Sequence, residues 1–347
     1  MTTRIYLDHA ATTPILPAAA IAVGEAMARW ANPSSPHAEG RAARAAFERA
    51  RDVIRTALGW EGALIFTSGA SEAAALAMAR ALPAGRAVSA VEHDSVRRAD
   101  PEAIVLPVGA DGIVSADDIP ADSLVAVQSV NSETGVIQPL DALAGAVRAK
   151  GGLLLADCAQ SAGKLALPDA DMVIVSAHKL GGPPGIGALL VRDLAMLRPS
   201  GGQEQGYRGG TENLPGALGF ATALDARGNR EHLQPLRDRL DEAIRKDGGQ
   251  IIAEESPRLP EIGSYRLPGV PAVVQLIALD TAGIAVSAGS ACSSGSMKPS
   301  PVLVAMGWNE REASEVIRVS FAPSTTEAEV FAFLAVWHAL ARRPRAA

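Results

Sequence analysis

An α/β protein, with a mainly parallel sheet sandwiched by helices and a smaller α+β unit after it, is predicted by three observations. Between residues 63 and 192, short β-branched or Leu-rich runs alternate with Ala-rich stretches, the pattern of strands joined by crossover helices. After about residue 225 the texture changes to a charged helical segment and short strand-like runs. With 347 residues and 48% hydrophobic composition, the chain can bury a full core in a large domain plus a smaller one.

The expected strands of the large sheet are Ala63–Phe66, Ala87–Val91, Leu124–Ser129, Leu153–Ala156, Met172–Ser176 and Gly187–Val191. Helices are expected at Glu25–Ala31, stopped by Asn32-Pro33, at Ala38–Leu58 and at Ala73–Ala81. The smaller unit is expected to hold a helix over Glu231–Lys246, strands around Ile251, Val273 and Ile317, and a closing helix from Thr326 to about Arg342. These elements divide into an N-terminal arm (1–14), a large domain (15–225) and a small domain (226–347) that carries Cys292.

A formal charge of −6, with acids and bases interspersed, offers no basic stripe to a nucleic-acid backbone and favours a small-molecule substrate. The start lacks the charged and apolar regions of an export signal, and polar residues interrupt each candidate span, so a cytoplasmic protein without membrane contact is expected. Two cysteines, Cys158 and Cys292, make no disulfide framework or metal site, and each is judged as a free thiol.

Ligands of open α/β sheets sit beyond the carboxyl ends of the strands, so the turns there are where chemistry is expected. The strand Met172–Ser176 runs into Ala177-His178-Lys179. A partly desolvated lysine at a strand end suits Schiff-base chemistry, although a solvated turn lysine reads the same. The strand Leu153–Ala156 delivers Asp157, with Gln160 three positions on. A carboxylate there can hold a pyridoxal phosphate (PLP) ring protonated at its nitrogen, or can serve as a helix N-cap.

In Thr67-Ser68-Gly69-Ala70-Ser71-Glu72, small residues such as Ala70 let backbone N–H groups and the Ser71 hydroxyl approach a phosphate; capping by Ser71 explains the turn equally well. His93 can stack on a ring and move protons, or be structural. The turn Asn131-Ser132-Glu133-Thr134-Gly135 offers amide and hydroxyl groups. No GxGxxG follows a strand and no Walker sequence occurs, which leaves a nucleotide-binding reading little support. Cys292 lies in a Gly- and Ser-rich stretch too mobile and wet for a packed thiol, whereas Cys158 beside Asp157 is assigned to packing. Arg318, inside a strand of the small unit, can grip a carboxylate or simply face solvent.

In their order along nearly the whole chain, these residues resemble the cysteine desulfurases of the NifS/IscS type, fold-type I PLP-dependent transferases of the class V aminotransferase family. The resemblance runs through Tyr6-Leu7-Asp8-His9-Ala10-Ala11-Thr12-Thr13-Pro14, Asn32-Pro33-Ser34-Ser35, Thr67 to Glu72, Glu92-His93, Glu133-Thr134-Gly135, Asp157 with Gln160, Ser176 to Lys179, Arg208-Gly209-Gly210-Thr211-Glu212-Asn213 and Gly289-Ser290-Ala291-Cys292.

The resemblance implies that Lys179 holds PLP as a Schiff base, Asp157 binds the pyridine nitrogen and Gln160 the ring hydroxyl. Ser71, Ser176 and His178 would hold the phosphate, joined by Thr211 from the second subunit of a homodimer. His93 would stack on the ring as acid or base, Arg318 would bind the L-cysteine carboxylate with Asn131 and Ser132 nearby, and Cys292 would take the sulfur as a persulfide. The acceptor would be an iron–sulfur scaffold or tRNA-thiolation protein. Selenocysteine lysis, another class V reaction, or a degenerate structural partner are the alternatives. Ser132 stands where the family often has a second asparagine, and Ala322-Pro323-Ser324-Thr325-Thr326 replaces the usual Gly-Arg-x-Thr-Thr.

Overall fold

The computed structural model describes residues 4–29, 31–289 and 299–342; Cys292 lies outside them. The order is β1 (Ile5–Tyr6), α1 (Pro17–Ala28), α2 (Ala38–Leu58), β2 (Ala63–Thr67), α3 (Ala70–Arg80), β3 (Gly85–Ser89), α4 (Asp94–Arg97), β4 (Ile104–Leu106), β5 (Ser123–Gln128), α5 (Leu140–Ala149), β6 (Leu153–Asp157), β7 (Met172–Ser176) and β8 (Gly187–Val191). There follow α6 (Leu214–Asp225), α7 (Leu233–Lys246), β9 (Gln250–Ile251), β10 (Ile262–Arg266), α8 (Ala272–Thr281), β11 (Ile284–Ala285), α9 (Pro301–Ala305), α10 (Glu310–Ala313), β12 (Val316–Ser320) and α11 (Glu327–Ala341).

The main sheet has seven strands in the order β2-β8-β7-β6-β5-β3-β4. Strands β3 to β7 pair with one another in parallel, and β8 runs antiparallel to both β2 and β7. Successive side chains alternate between two cores. Val125, Val127, Leu154, Ala156, Val173 and Val175 pack with Phe47 and Ile54 of α2 and Phe220 of α6. Leu124, Ala126, Leu155, Ile174 and Leu189 face Ala73 and Ala77 of α3. A sheet covered on both faces needs apolar residues at every position, which is why the strands read as unbroken hydrophobic runs.

A second sheet, β12-β10-β9, is antiparallel. Leu236 and Leu240 of α7, Leu279 of α8 and Phe333 and Trp337 of α11 form its core. Leu7 packs into this same core, and β1 pairs in parallel with β11. The start of the chain is thereby carried across to the later sheet.

The structure corrects three expectations. The first helix starts at Pro17, where proline stands in the first turn and needs no N–H partner. β3 ends at Ser89 rather than at Val91. Val273 lies in α8, not in a strand: Pro271 is the N-cap and the Ala272 N–H donates to Ser314 O, so helix initiation overrides the β-branched Val273-Val274 pair. Among the described residues no helix is long and apolar enough to cross a membrane.

Candidate active site

Strand β7 is buried along its length and ends at Ser176. One short turn over Ala177–Lys179 then lifts the lysine off the sheet. The N-terminal segment holds this turn from outside, because Thr13 N–H donates to His178 O at 2.9 Å and Thr13 Oγ1 to Lys179 O at 3.3 Å. Lys179 lines a cleft of about 740 Å³, whose wall also includes Ser71, His93, Asp157, His178 and Arg318. Four strand ends of the main sheet and strand β12 of the second thus meet at one hollow beyond the carboxyl ends of the parallel strands, as the topology favours.

Asp157, the last residue of β6, is 8% exposed and accepts a hydrogen bond from Ala159 N at 2.8 Å on Oδ1. That bond fixes the carboxylate in a turn; Asp157 caps no helix. Gln160 lies behind the wall, where Nε2 donates to Ala10 O at 2.8 Å and buried Oε1 has no partner among the described residues. His93 accepts from Ser95 N at 3.2 Å on Nδ1, which places the proton of the neutral ring on Nε2. Burial, and then the charge of Lys179, hold this imidazole below its usual titration range. Burial and Lys179 likewise depress His178 to about 4, so its neutral ring meets the Thr12 hydroxyl at 3.1 Å.

Glu92 is a cleft residue to which the sequence assigned no role. It is 3% exposed, takes the Gln128 N–H on Oε1, and leaves buried Oε2 without a partner among the described residues. Burial and the neighbouring Asp157 push its carboxyl well above the ordinary range, which favours the neutral, protonated form.

The turn after β2 is built for close approach. The N-cap of α3 is Gly69, with φ 150° and no side-chain cap, so the first-turn N–H groups lack the carbonyl partners of a helix interior. The Ser71 hydroxyl therefore does not cap this helix. A Cβ on Gly187 would stand 2.8 Å from Gly69 Cα, and only a glycine in β8 lets the turn settle on the sheet. Glu72 ties it further, accepting from Ser68 N at 2.5 Å and from Arg208 Nε at 2.8 Å.

Arg318 is 6% exposed on β12 and donates to Asp8 Oδ1 at 2.7 Å and Ser132 O at 2.9 Å. It faces the cleft rather than solvent. Ser132 lies on the wall, whereas Asn131 spends its carboxamide on its own turn, accepting from Glu133 N and Thr134 N and donating to Val91 O. These bonds give Asn131 a turn-shaping role. Thr211 is exposed and lies outside the wall of its own chain's cleft. Cys158 is fully buried and its thiol is pushed up to about 12 by burial, the inert packing thiol expected. Cys292 lies outside the described residues, but Gly289 before it and Pro301 after it both line the cleft.

The Aminotransferase class-V family matches residues 5–333. The chain belongs to that family. It is 36% identical to the IscS-like cysteine desulfurase of Mycobacterium tuberculosis, over 99% of this chain and 98% of the relative. It is 34% identical to the cysteine desulfurase of Cereibacter sphaeroides, over 96% and 94%. Among solved structures, a NifS-like protein from Rickettsia africae superimposes with a TM-score of 0.87 at 29% identity, covering 97% of this chain and 99% of that one. SspA in complex with cysteine superimposes with a TM-score of 0.82 at 29% identity, covering 93% and 100%.

The family depends on PLP, and the residues present fit that cofactor. An uncapped helix start beside Ser71, Ser176 and His178 suits a phosphate, a fixed carboxylate at Asp157 suits a pyridinium, and the unpartnered Gln160 Oε1 marks a buried polar edge still to be satisfied.

Proposed function

We propose that the protein is a PLP-dependent cysteine desulfurase that takes sulfur from L-cysteine, releases L-alanine and holds the sulfur on Cys292 as a persulfide. The observation that carries the reading is one cleft lined by Lys179, Asp157, His93, Ser71 and Arg318, with Gly289 and Pro301 flanking the Cys292 segment on its wall. Relatives named cysteine desulfurase and the likeness to SspA in complex with cysteine support the substrate.

Once bound, PLP supplies an electron sink beside the α-carbon of an amino acid. Lys179 Nζ anchors it and afterwards moves the α-proton. Asp157 holds the ring-nitrogen proton, Gln160 meets the ring hydroxyl, and Ala70, Ser71, Ser176 and His178 hold the phosphate. Arg318 fixes the substrate α-carboxylate. The neutral His93 stacks on the ring and exchanges protons through Nε2, the nitrogen left protonated by the Ser95 contact. Cys292 Sγ attacks the substrate sulfur: the S–S bond forms as the Cβ–S bond breaks. The transferred sulfur is oxidised to the sulfane level, while Cβ is reduced and takes a proton to become the methyl group of alanine.

A homodimer completes the site, with Thr211 of each chain serving the phosphate of the other. Exposed Ile15, Ile21 and Met27, at 40%, 62% and 66%, form the kind of apolar surface that a second copy covers. The 1–14 arm and the 15–225 and 226–347 domains form the working unit, which acts in the cytoplasm and passes sulfur to a protein serving iron–sulfur assembly or tRNA thiolation. The test is alanine and persulfide formation from L-cysteine. Cys292→Ser should abolish persulfide while the cofactor's absorbance remains; undiminished turnover in that variant refutes the assignment.

A further inference from the structure

The start of the chain is tied to the cleft through Asp8, to which neither the sequence reading nor the proposed mechanism gives a function. Its position is set by the fold. Leu7 is fully buried in the second core, Ser320 N–H donates to Leu7 O at 2.8 Å, and Ala10 N–H donates to Ser320 Oγ at 2.9 Å. This braid lays Asp8 against β12, with its side chain beside Arg318. The two carboxylate oxygens go to different partners: Oδ1 accepts from Arg318 Nη2 at 2.7 Å and Oδ2 from Ser287 Oγ at 2.9 Å. Ser287 is in turn paired with Arg318 through two backbone hydrogen bonds, of 2.7 and 3.2 Å.

A purely structural arginine–carboxylate pair is satisfied best by a two-pronged contact that uses both oxygens on one guanidinium. Asp8 makes a one-pronged contact instead. On the other side Arg318 Nη1 donates to Ser132 O at 2.9 Å. Each terminal nitrogen carries two hydrogens, so these contacts use one on each and leave one on each for a further acceptor. Among the described residues, buried Arg318 Nε has no partner either. A buried guanidinium with unmet donors on a cleft wall is costly unless an acceptor arrives. Arg318 lines the same cleft as Lys179. Holding the guanidinium in place beforehand also removes the rotamer entropy that a free arginine would lose on gripping a ligand.

We infer that Asp8 is a positioning residue for substrate recognition: it clamps Arg318 against Ser287 and Ser132 so that the remaining guanidinium hydrogens meet an amino-acid α-carboxylate in a two-pronged grip. The inference rests on the reading of Arg318 as the carboxylate binder. Asp8 selects for ligands with a carboxylate next to the reacting amine and is indifferent to ligands without one. Ser287, two residues before Gly289, is the second support of the clamp.

The test compares L-cysteine with cysteamine, which keeps the amine and thiol and lacks the carboxylate, on the PLP-loaded enzyme. Two quantities are read: the KM and kcat for L-cysteine, and the apparent Kd of each compound from the change in cofactor absorbance. Asp8→Ala should raise the KM and Kd for L-cysteine about tenfold, leave kcat within twofold, and leave the Kd for cysteamine unchanged. Asp8→Asn, which keeps size and one acceptor oxygen, should give a smaller rise in the same direction, and Ser287→Ala a rise of two- to threefold. An unchanged L-cysteine Kd in Asp8→Ala and Asp8→Asn overturns the inference, as does equal weakening of both compounds. Arg318→Gln separates the two layers. If it abolishes the preference for L-cysteine while Asp8→Ala retains it, only the role of Asp8 falls; if the preference survives in Arg318→Gln, the reading of Arg318 falls first.

Discussion

The turn that brings Ser68 and Gly69 to the cleft wall is braced from behind by a buried ion pair, and removing its acid should be felt in both stability and cofactor affinity. Glu204 is 4% exposed and accepts from Arg51 Nη1 at 2.8 Å, from Arg51 Nη2 at 3.1 Å and from Phe66 N at 2.7 Å. Phe66 immediately precedes the Thr67-Ser68-Gly69 turn. Arg51 has a second partner, Glu48 at 2.8 Å, whose side chain is 46% exposed. Glu204→Gln keeps an acceptor for Phe66 N–H but leaves Arg51 with the Leu64 carbonyl and, as its remaining carboxylate among the described residues, the half-solvated Glu48. Breaking one side of a buried pair costs about 3–5 kcal/mol, and the remaining Glu48 argues for about 3. With roughly 2.1 cal/mol/K of unfolding entropy per residue over 347 residues, Tm should fall by about 4 °C in a thermal melt of the cofactor-free protein. The Kd for PLP should rise severalfold. Because Glu204→Gln strands a charge, Arg51→Met added to it should recover at least half of the lost Tm. A double variant that loses the sum of the two single losses would refute the reasoning.

Four further outcomes follow from the site. The folded Glu92 carboxyl titrates well above its ordinary 4.5, so the folded state keeps a proton that the unfolded chain releases, and stability falls as pH rises from about 4.5 through the raised value. Urea melts across that range should show the fall in the wild type and a flatter profile in Glu92→Gln. His93→Ala should lower kcat by about a hundredfold or more, and because the imidazole is held below its usual range, the acid limb of kcat/KM should lie below the histidine value of about 6.5 and vanish in the variant. Borohydride reduction followed by peptide mapping should place a pyridoxyl group on Lys179, with none bound in Lys179→Ala. Iodoacetamide at neutral pH should leave Cys158 unlabelled in the native protein, since its thiol is fully buried and raised to about 12, and Cys158→Ala should leave persulfide formation unchanged.

The main sheet was legible because strands buried on both faces have no choice but apolar residues, and Met172–Ser176 and Gly187–Val191 carry no competing signal. Val273 misled because two adjacent β-branched residues look like a strand, while the Pro271 start and the contact of Ala272 N–H with Ser314 O are long-range facts. The strand ends that lead to Ser71 and Lys179, and the one at Asp157, could be read locally, since a polar residue after an apolar run marks the edge of a sheet. What each neighbour does to them could not. Asn131 offers the same carboxamide to a ligand or to its own turn, and its bonds to Thr134 and Val91 cannot be told from the carboxamide alone. Asp8, Glu204 and Ser287 act through partners 310, 153 and 279 positions away, a separation at which no periodicity survives.

The proposed function turns on one transfer, of the sulfur of L-cysteine onto Cys292. Peptide mass spectrometry after exposure of the PLP-loaded enzyme to L-cysteine, without reductant, tests it most directly. The predicted result is the mass of one added sulfur atom on the peptide bearing Cys292, none on the peptide bearing Cys158, and alanine released in matching amount. Alanine released with no sulfur on Cys292, or sulfur found on Cys158 instead, would contradict it.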